Sequence, residues 1–129
     1  MSKYLFLPFV GQYYNDNSFN ISIINSCVYK GLTIIPLIKN LKEDKKESIK
    51  LSGLKLGNGN NIKQLFENGG ILTVKHPLIN NNHSFLMIKD DTGDYVLVNS
   101  LMGPTILPGV SKEKIENVFN IVDGYYFIN

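Results

Sequence analysis

Residues 84–99 read Ser-Phe-Leu-Met-Ile-Lys-Asp-Asp-Thr-Gly-Asp-Tyr-Val-Leu-Val-Asn, and this stretch decides the fold. Two apolar runs, 84–89 and 95–99, lie on either side of a polar run that contains a glycine. This arrangement predicts a β-hairpin with its turn centred near Asp91. The apolar run 71–75 predicts a buried strand before the hairpin.

Helical spacing is clearest in residues 18–30, where apolar side chains recur at Ile21, Ile24 and Val28. Gly31 follows this pattern and is a typical stop signal for a helix. The sequence therefore predicts one helix in the N-terminal part of the chain.

Shorter elements are predicted around the hairpin. Asn60 or Asn61 is a candidate cap for a short helix that the Gly69-Gly70 pair would end, before the strand at 71–75. Ser111 is the candidate cap of a second short helix, which contains Ile115, Val118 and Phe119. A last strand is predicted over 125–128, after Asp123-Gly124.

The order of these elements indicates the fold class. An N-terminal helix, a polar middle and a C-terminal group of antiparallel strands predict an α+β domain whose helix packs on the sheet. The length of 129 residues fits one domain over 1–129. The mixed charge run at 42–47 predicts a solvated helix face or a loop.

Composition excludes several classes of function. The net charge is only +2 and no arginine is present, which argues against nucleic-acid binding. The longest apolar runs are too short to span a membrane. The apolar N-terminus has no small-residue cleavage site, so we expect a mature chain located in the cytoplasm. The sequence leaves the oligomeric state open.

Metal and cofactor chemistry have little basis in the sequence. Cys27 is the only cysteine and there are two histidines, so neither a disulfide nor a cysteine-cluster metal site is expected. The glycines near Gly57 do not lie between a strand and a helix as a phosphate loop requires. We therefore expect no cofactor and no metal.

His83 and Asn99 are candidate site residues because the hairpin brings their strands together. With the turn near Asp91, position 83 would face roughly position 99, on one face of the sheet. An asparagine oxygen there can fix one imidazole nitrogen and leave the other for proton transfer. Two polar residues at strand ends are the structural alternative.

Ser18 is the second candidate, since it opens the predicted N-terminal helix. A nucleophile at a helix N-terminus gains from the free N–H groups and the helix dipole. Gln12 precedes Ser18 by six residues, and its side-chain amide is a suitable oxyanion donor. The structural alternatives are an ordinary N-cap serine and a surface glutamine.

Gln12, then Ser18-Phe19 opening a helix that ends near Gly31, resembles the opening of papain-like cysteine peptidases. The chain is most similar to small peptidases that remove double-glycine bacteriocin leaders. Their helix, double glycine and strand are similar to residues 65–74, and their catalytic-histidine strand is similar to residues 83–88. Further segments that resemble this family are 99–104, 111–115 and 124–128.

This resemblance implies a papain-like fold and a thiol protease that cleaves a peptide or isopeptide bond in a protein or peptide partner. Ser18 would occupy the nucleophile position, His83 would be the base and acid, and Asn99 would orient His83. Gln12 with the Ser18 backbone N–H would form the oxyanion hole.

The chain departs from the family at the nucleophile, where serine stands in place of cysteine, and at Asn99, where many members have aspartate. A hydroxyl is a far poorer nucleophile than a thiolate. Three explanations remain open: an engineered replacement, a natural pseudo-peptidase that binds extended peptides, or a working serine hydrolase. An unrelated α+β interaction protein is a further alternative.

Two other residues are less suited to catalysis. Cys27 lies nine residues beyond Ser18 on the expected core side of the helix, where a buried thiol is typical. His76 precedes Pro77 and ends a strand, which indicates a structural or rim position, with a role as the base as the alternative.

Overall fold

The fold is built on a six-stranded antiparallel sheet, seen in a computed structural model that describes residues 18–34, 45–58, 62–75, 82–99 and 105–128. The strand order across the sheet is β1-β6-β2-β3-β4-β5. The strands are β1 (Leu56–Asn58), β2 (Gly70–Lys75), β3 (Asn82–Lys89), β4 (Tyr95–Asn99), β5 (Thr105–Val110) and β6 (Asn120–Phe127). Strands β2 and β3 therefore lie at the centre of the sheet.

Helices lie on both faces of this sheet. Within the described ranges they are α1 (Ser18–Lys30), α2 (Lys45–Ser52), α3 (Ile62–Asn68) and α4 (Lys112–Val118). Helix α1 contacts β2, β3 and α2, whereas α3 contacts β2, β3 and β6. The predicted α+β class, with an N-terminal helix on an antiparallel sheet, is confirmed.

Alternation along β3 divides the core into two clusters. Leu86 and Ile88 pack with α1 on one face of the sheet. Phe85 and Met87 pack with α3 and α4 on the other face. Both faces of the central strands are covered, which explains why β2 and β3 are buried almost throughout.

Helix α1 ends as the sequence predicts. Gly31 has φ of 73° and donates its N–H to the carbonyl of Val28. The next amide, of Leu32, donates to the carbonyl of Cys27 at 2.8 Å. A left-handed residue after the last turn is the usual way to satisfy these carbonyls, and glycine adopts it without strain.

The double glycine, Gly69-Gly70, also lies where the sequence predicts, between α3 and β2. Gly69 has φ of 75° and donates to the carbonyl of Leu65 at 2.8 Å. A Cβ atom on Gly70 would run into the carbonyl oxygen of Tyr125 on the neighbouring strand. Both positions therefore require glycine, one for its backbone angle and one for close strand packing.

The predicted hairpin is present, but its predicted register is wrong by two residues. Lys89 is paired with Tyr95 and Leu86 with Val98, so the centre of the turn is Thr92 and not Asp91. Asp90 closes this loop through a 2.7 Å hydrogen bond from its N–H to the Asp94 carbonyl. The longer turn moves the strand partner of residue 99 from position 83 to position 85.

The remaining elements agree with the prediction in part. Ser111 caps α4, and its hydroxyl accepts a hydrogen bond from the N–H of Lys114 at 3.2 Å. Strand β6 begins at Asn120, earlier than predicted, and β1 and β5 were not predicted. The candidate caps Asn60 and Asn61 lie outside the described residues.

The charge run is partly described, from residue 45 onward. Lys45, Lys46 and Glu47 form the exposed start of α2, as expected of a solvated helix face. None of the helices in the described ranges has the length and apolar character needed to cross a membrane.

Candidate functional site

His83 lies near the start of β3 and is only 2% exposed. Alternation along the strand puts its side chain on the same face as that of Phe85, and the centroids of the two rings are 6.2 Å apart. The adjacent strand β2 pairs Val74 with His83 across the ladder. The imidazole is therefore held in a well-packed part of the sheet.

Asn99 ends β4 and contacts the histidine directly. The distance between His83 Nε2 and Asn99 Oδ1 is 2.8 Å. Continuing the β3–β4 register by one pair puts Phe85 opposite Asn99. His83 and Asn99 are thus diagonal neighbours, a spacing that side chains of this length can bridge.

This hydrogen bond determines which ring nitrogen of His83 can act as a base. The Asn99 oxygen only accepts, so Nε2 is the nitrogen that donates. In a neutral imidazole the other nitrogen then carries the lone pair. That nitrogen, Nδ1, is also buried.

Ser18 is the first residue of α1 and is 5% exposed. Its Oγ accepts a hydrogen bond of 3.1 Å from the backbone N–H of Ser84, the residue that follows His83. From standard backbone bond lengths, Ser18 Oγ is no more than about 6 Å from the Cα of His83. The fold thus brings the start of α1 to the start of β3. A direct approach of Ser18 Oγ to the imidazole ring, at about 3–4 Å, remains a prediction.

A row of buried hydroxyl groups supports this contact. Ser84 Oγ is 2.8 Å from the hydroxyl of Thr73, its partner on β2. Ser22 donates to the Ser18 carbonyl at 2.8 Å, within the first turns of α1. Ser22, Thr73 and Ser84 are each at most 3% exposed, so these polar groups are removed from bulk water.

The Ser84 amide and the Thr73–Ser84 pair were not identified from the sequence. A main-chain donor leaves no side-chain signal. The only available sign was a pair of small hydroxyl residues at otherwise apolar positions of two buried strands. Such residues are usually hydrogen-bonded when they are buried.

Cys27 cannot serve as the nucleophile. It is completely buried in the α1 core, and burial raises its pKa to about 11. Its thiol faces the carbonyl of Ser52 at 3.8 Å. A neutral, shielded thiol of this kind is inert.

Gln12 and His76 lie outside the described residues, so their predicted roles stay predictions. Within the described ranges, no three histidine, cysteine or acidic side chains are grouped so that they could hold a metal ion. Comparison with family models, with curated proteins and with solved structures finds no match to this chain.

The arrangement has a defined chemical capacity. A buried imidazole has one nitrogen fixed by an amide oxygen, and a serine hydroxyl lies beside the same strand. Fixing one nitrogen is how a histidine is oriented for general base catalysis. To act as a base in this way, His83 also needs a nucleophile that can transfer its proton to the imidazole.

Proposed function

We propose that this chain is a papain-like cysteine-peptidase-type domain that acts on a peptide or isopeptide bond, with serine at the nucleophile position. The observation that carries the proposal is the 2.8 Å contact between His83 Nε2 and Asn99 Oδ1. That contact leaves Nδ1 as the basic nitrogen, beside a strand whose next amide binds Ser18. The proposal includes a peptide or protein partner and a cytoplasmic location.

In this reaction, residue 18 attacks the carbonyl carbon while its proton moves to Nδ1 of His83. Asn99 keeps the imidazole in the required tautomer and orientation. The backbone N–H of Ser18 and the side chain of Gln12 stabilise the oxyanion that forms. The imidazolium then gives its proton to the departing amine, and water hydrolyses the acyl intermediate.

The serine limits this chemistry as the chain stands. A hydroxyl needs a strong base to become a nucleophile, whereas a thiol beside an imidazole ionises readily. We therefore expect little or no turnover by the Ser18 chain and measurable turnover by Ser18→Cys.

The test is turnover of a fluorogenic peptide library by Ser18→Cys, made in a Cys27→Ala background so that it holds one thiol. Product should form, and a further His83→Ala change should abolish it while the circular dichroism spectrum stays the same. Turnover that survives His83→Ala would refute the assigned roles. A Ser18→Cys thiol with the alkylation rate of free cysteine, insensitive to His83→Ala, would also refute them.

A non-catalytic module that holds an extended peptide is the second candidate. The observation in its favour is that Ser18 Oγ is buried and already accepts a hydrogen bond from the Ser84 amide, as a structural serine does. Under this alternative, Ser18→Cys gives no turnover, yet the unaltered chain binds members of the same library. Fluorescence anisotropy on the Ser18 chain distinguishes the two functions.

A further inference from the structure

The backbone N–H of Ser84 points at the side-chain atom that would carry out the attack, at 3.1 Å. We propose that this amide is a third donor of the site, which holds the nucleophilic atom of residue 18 in its deprotonated form. The inference rests on the proposed function, and it assigns a group that the oxyanion hole does not contain. The oxyanion donors serve the substrate oxygen, whereas the Ser84 amide serves the nucleophile itself.

The location of Ser84 in the sheet leaves its amide available for this contact. Among the described residues, the pairs of β3 and β4 begin at Leu86 and Val98, two residues beyond Ser84 along β3. Ser84 lies two residues before these pairs, and its N–H donates to Ser18 Oγ.

Burial makes such a donor effective. Ser18 is 5% exposed and Ser84 is 3% exposed, so little water competes for the contact. Hydrogen bonds to an ionised group are shorter and stronger than those between neutral groups. The N–H therefore favours the thiolate of a cysteine at position 18 over its neutral thiol.

The proton balance of the step is simple. The S–H bond of a cysteine at position 18 breaks, and its proton forms a new N–H bond at Nδ1 of His83. The electron pair stays on sulfur. The Ser84 amide keeps its own proton throughout and contributes only a hydrogen bond.

Thr73 acts as a positioning residue for this amide. Its hydroxyl is 2.8 Å from Ser84 Oγ, and the two residues are direct partners in the β2–β3 ladder. This contact fixes the Ser84 side chain on the central strand pair, so the main chain of residue 84 has little freedom to move away from α1.

The decisive experiment replaces the peptide bond N–H at residue 84 by an ester oxygen, in chemically ligated Ser18→Cys protein. The thiol pKa is read from the pH dependence of iodoacetamide labelling, with peptide mass spectrometry separating residue 18 from Cys27. We expect the ester to raise the pKa of the residue-18 thiol by about one unit or more, which is the effect of losing a hydrogen bond to a charged group.

The matched control is an ester at Leu86. Its N–H lies two residues along the same strand, so it faces the same edge of β3, where Leu86 is paired with Val98 of β4. This ester should leave the pKa of the residue-18 thiol unchanged. Equal shifts from the two esters, or no shift from either, would overturn the inference.

A second set of variants addresses the case in which the ester at residue 84 prevents folding. Thr73→Val should raise the same thiol pKa, and Thr73→Ser should restore it. Ser26→Ala removes another buried hydroxyl, which bonds the Ser22 carbonyl at 2.7 Å, and should leave the pKa unchanged. A Thr73→Val value equal to that of unaltered Ser18→Cys would contradict the positioning role.

Failure of the inference and failure of the proposed function give different results. If His83→Ala raises the thiol pKa but the ester at residue 84 does not, only the Ser84 assignment is lost. If the thiol of Ser18→Cys titrates like free cysteine in every variant, including His83→Ala, both are lost.

Discussion

Asn99 binds the His83 ring although the two residues are not direct partners in the β3–β4 ladder. Asn99 Oδ1 is 2.8 Å from Nε2, and the register makes the pair diagonal neighbours. Because side chains alternate with a period of two, a register error of two residues keeps both side chains on the same face. An error of one residue would have put them on opposite faces.

The first prediction concerns Asn99 as the residue that orients His83. In the Ser18→Cys protein, Asn99→Ala should slow iodoacetamide labelling of residue 18, because the imidazole loses the acceptor that fixes its tautomer. Asn99→Asp should retain most of the labelling rate, because the carboxylate still accepts from Nε2. Mass spectrometry of samples quenched at successive times measures both variants, with Cys27 in the same sample as the slow internal reference.

Two outcomes for the Asn99 variants would contradict this prediction. If Asn99→Ala labels as fast as the parent protein, the contact between Asn99 and His83 is only structural. If Asn99→Asp labels as slowly as Asn99→Ala, then the hydrogen bond that residue 99 accepts from Nε2 does not determine the labelling rate.

A second prediction separates Gln12 from His83. Alkylation forms no oxyanion, so Gln12→Ala should leave labelling of the Ser18→Cys thiol nearly intact. Acyl transfer does form one, and its rate should fall roughly 10²-fold when an oxyanion donor is removed. The two rates are measured on the same preparation with iodoacetamide and with a peptide ester. An equal loss of the labelling rate and the acyl-transfer rate would mean that Gln12 supports the fold and is not an oxyanion donor.

The sequence predicted which side chains of this site lie together, but not the main-chain contact of Ser18. Spacing alone brought His83 and Asn99 together, since both belong to strands with clear apolar patterns. The main-chain contact of Ser18 with Ser84 could not be predicted, because every residue except proline has an N–H. Only the packing of α1 on β3 shows which amide meets the serine.

A third prediction ranks three glycines by the physical reason for each. Gly70→Ala should destabilise the fold most, because its Cβ would run into the Tyr125 carbonyl. Gly69→Ala combines φ of 75° with a Cβ only 2.8 Å from the Met87 carbonyl, and should cost more than about 1 kcal/mol. Gly69→Val should cost at least as much, since its side chain is larger.

Gly93→Ala is the matched control for this series. Gly93 has φ of 92°, but a Cβ added there would have no neighbouring atom within 4 Å, so only backbone strain contributes. Urea unfolding of the three alanine variants should give the order Gly70, Gly69, Gly93 in loss of stability. Equal losses at Gly93 and Gly70 would show that close strand packing contributes nothing at the double glycine.

The elements missed from the sequence lie at the two edges of the sheet. Strand β1 is three residues long and contains Gly57, and β5 contains Pro108 and Gly109. Strand β5 is largely exposed, so it needs no apolar alternation, and β1 is too short to show one. Proline is tolerated in an edge strand because one row of N–H groups there has no ladder partner. Pattern analysis therefore finds the central strands and overlooks those at the edges.

The last prediction is a pH dependence of stability that arises from Cys27. Burial raises the pKa of this thiol from 9.0 to about 11 in the folded chain. Well below pH 9 the thiol is protonated in both states and contributes no pH dependence. Between pH 9 and 11 the thiol ionises first in the unfolded chain, so the free energy of unfolding falls by on the order of 2 kcal/mol.

In Cys27→Ala this contribution is absent, while Tyr95 and Tyr125, whose pKa values are also raised by burial, are present in both proteins. Urea unfolding of the two proteins from pH 8 to 11 should therefore show a steeper decline for the parent chain above pH 9. Parallel curves would mean that the Cys27 thiol ionises as easily in the folded chain as in the unfolded one.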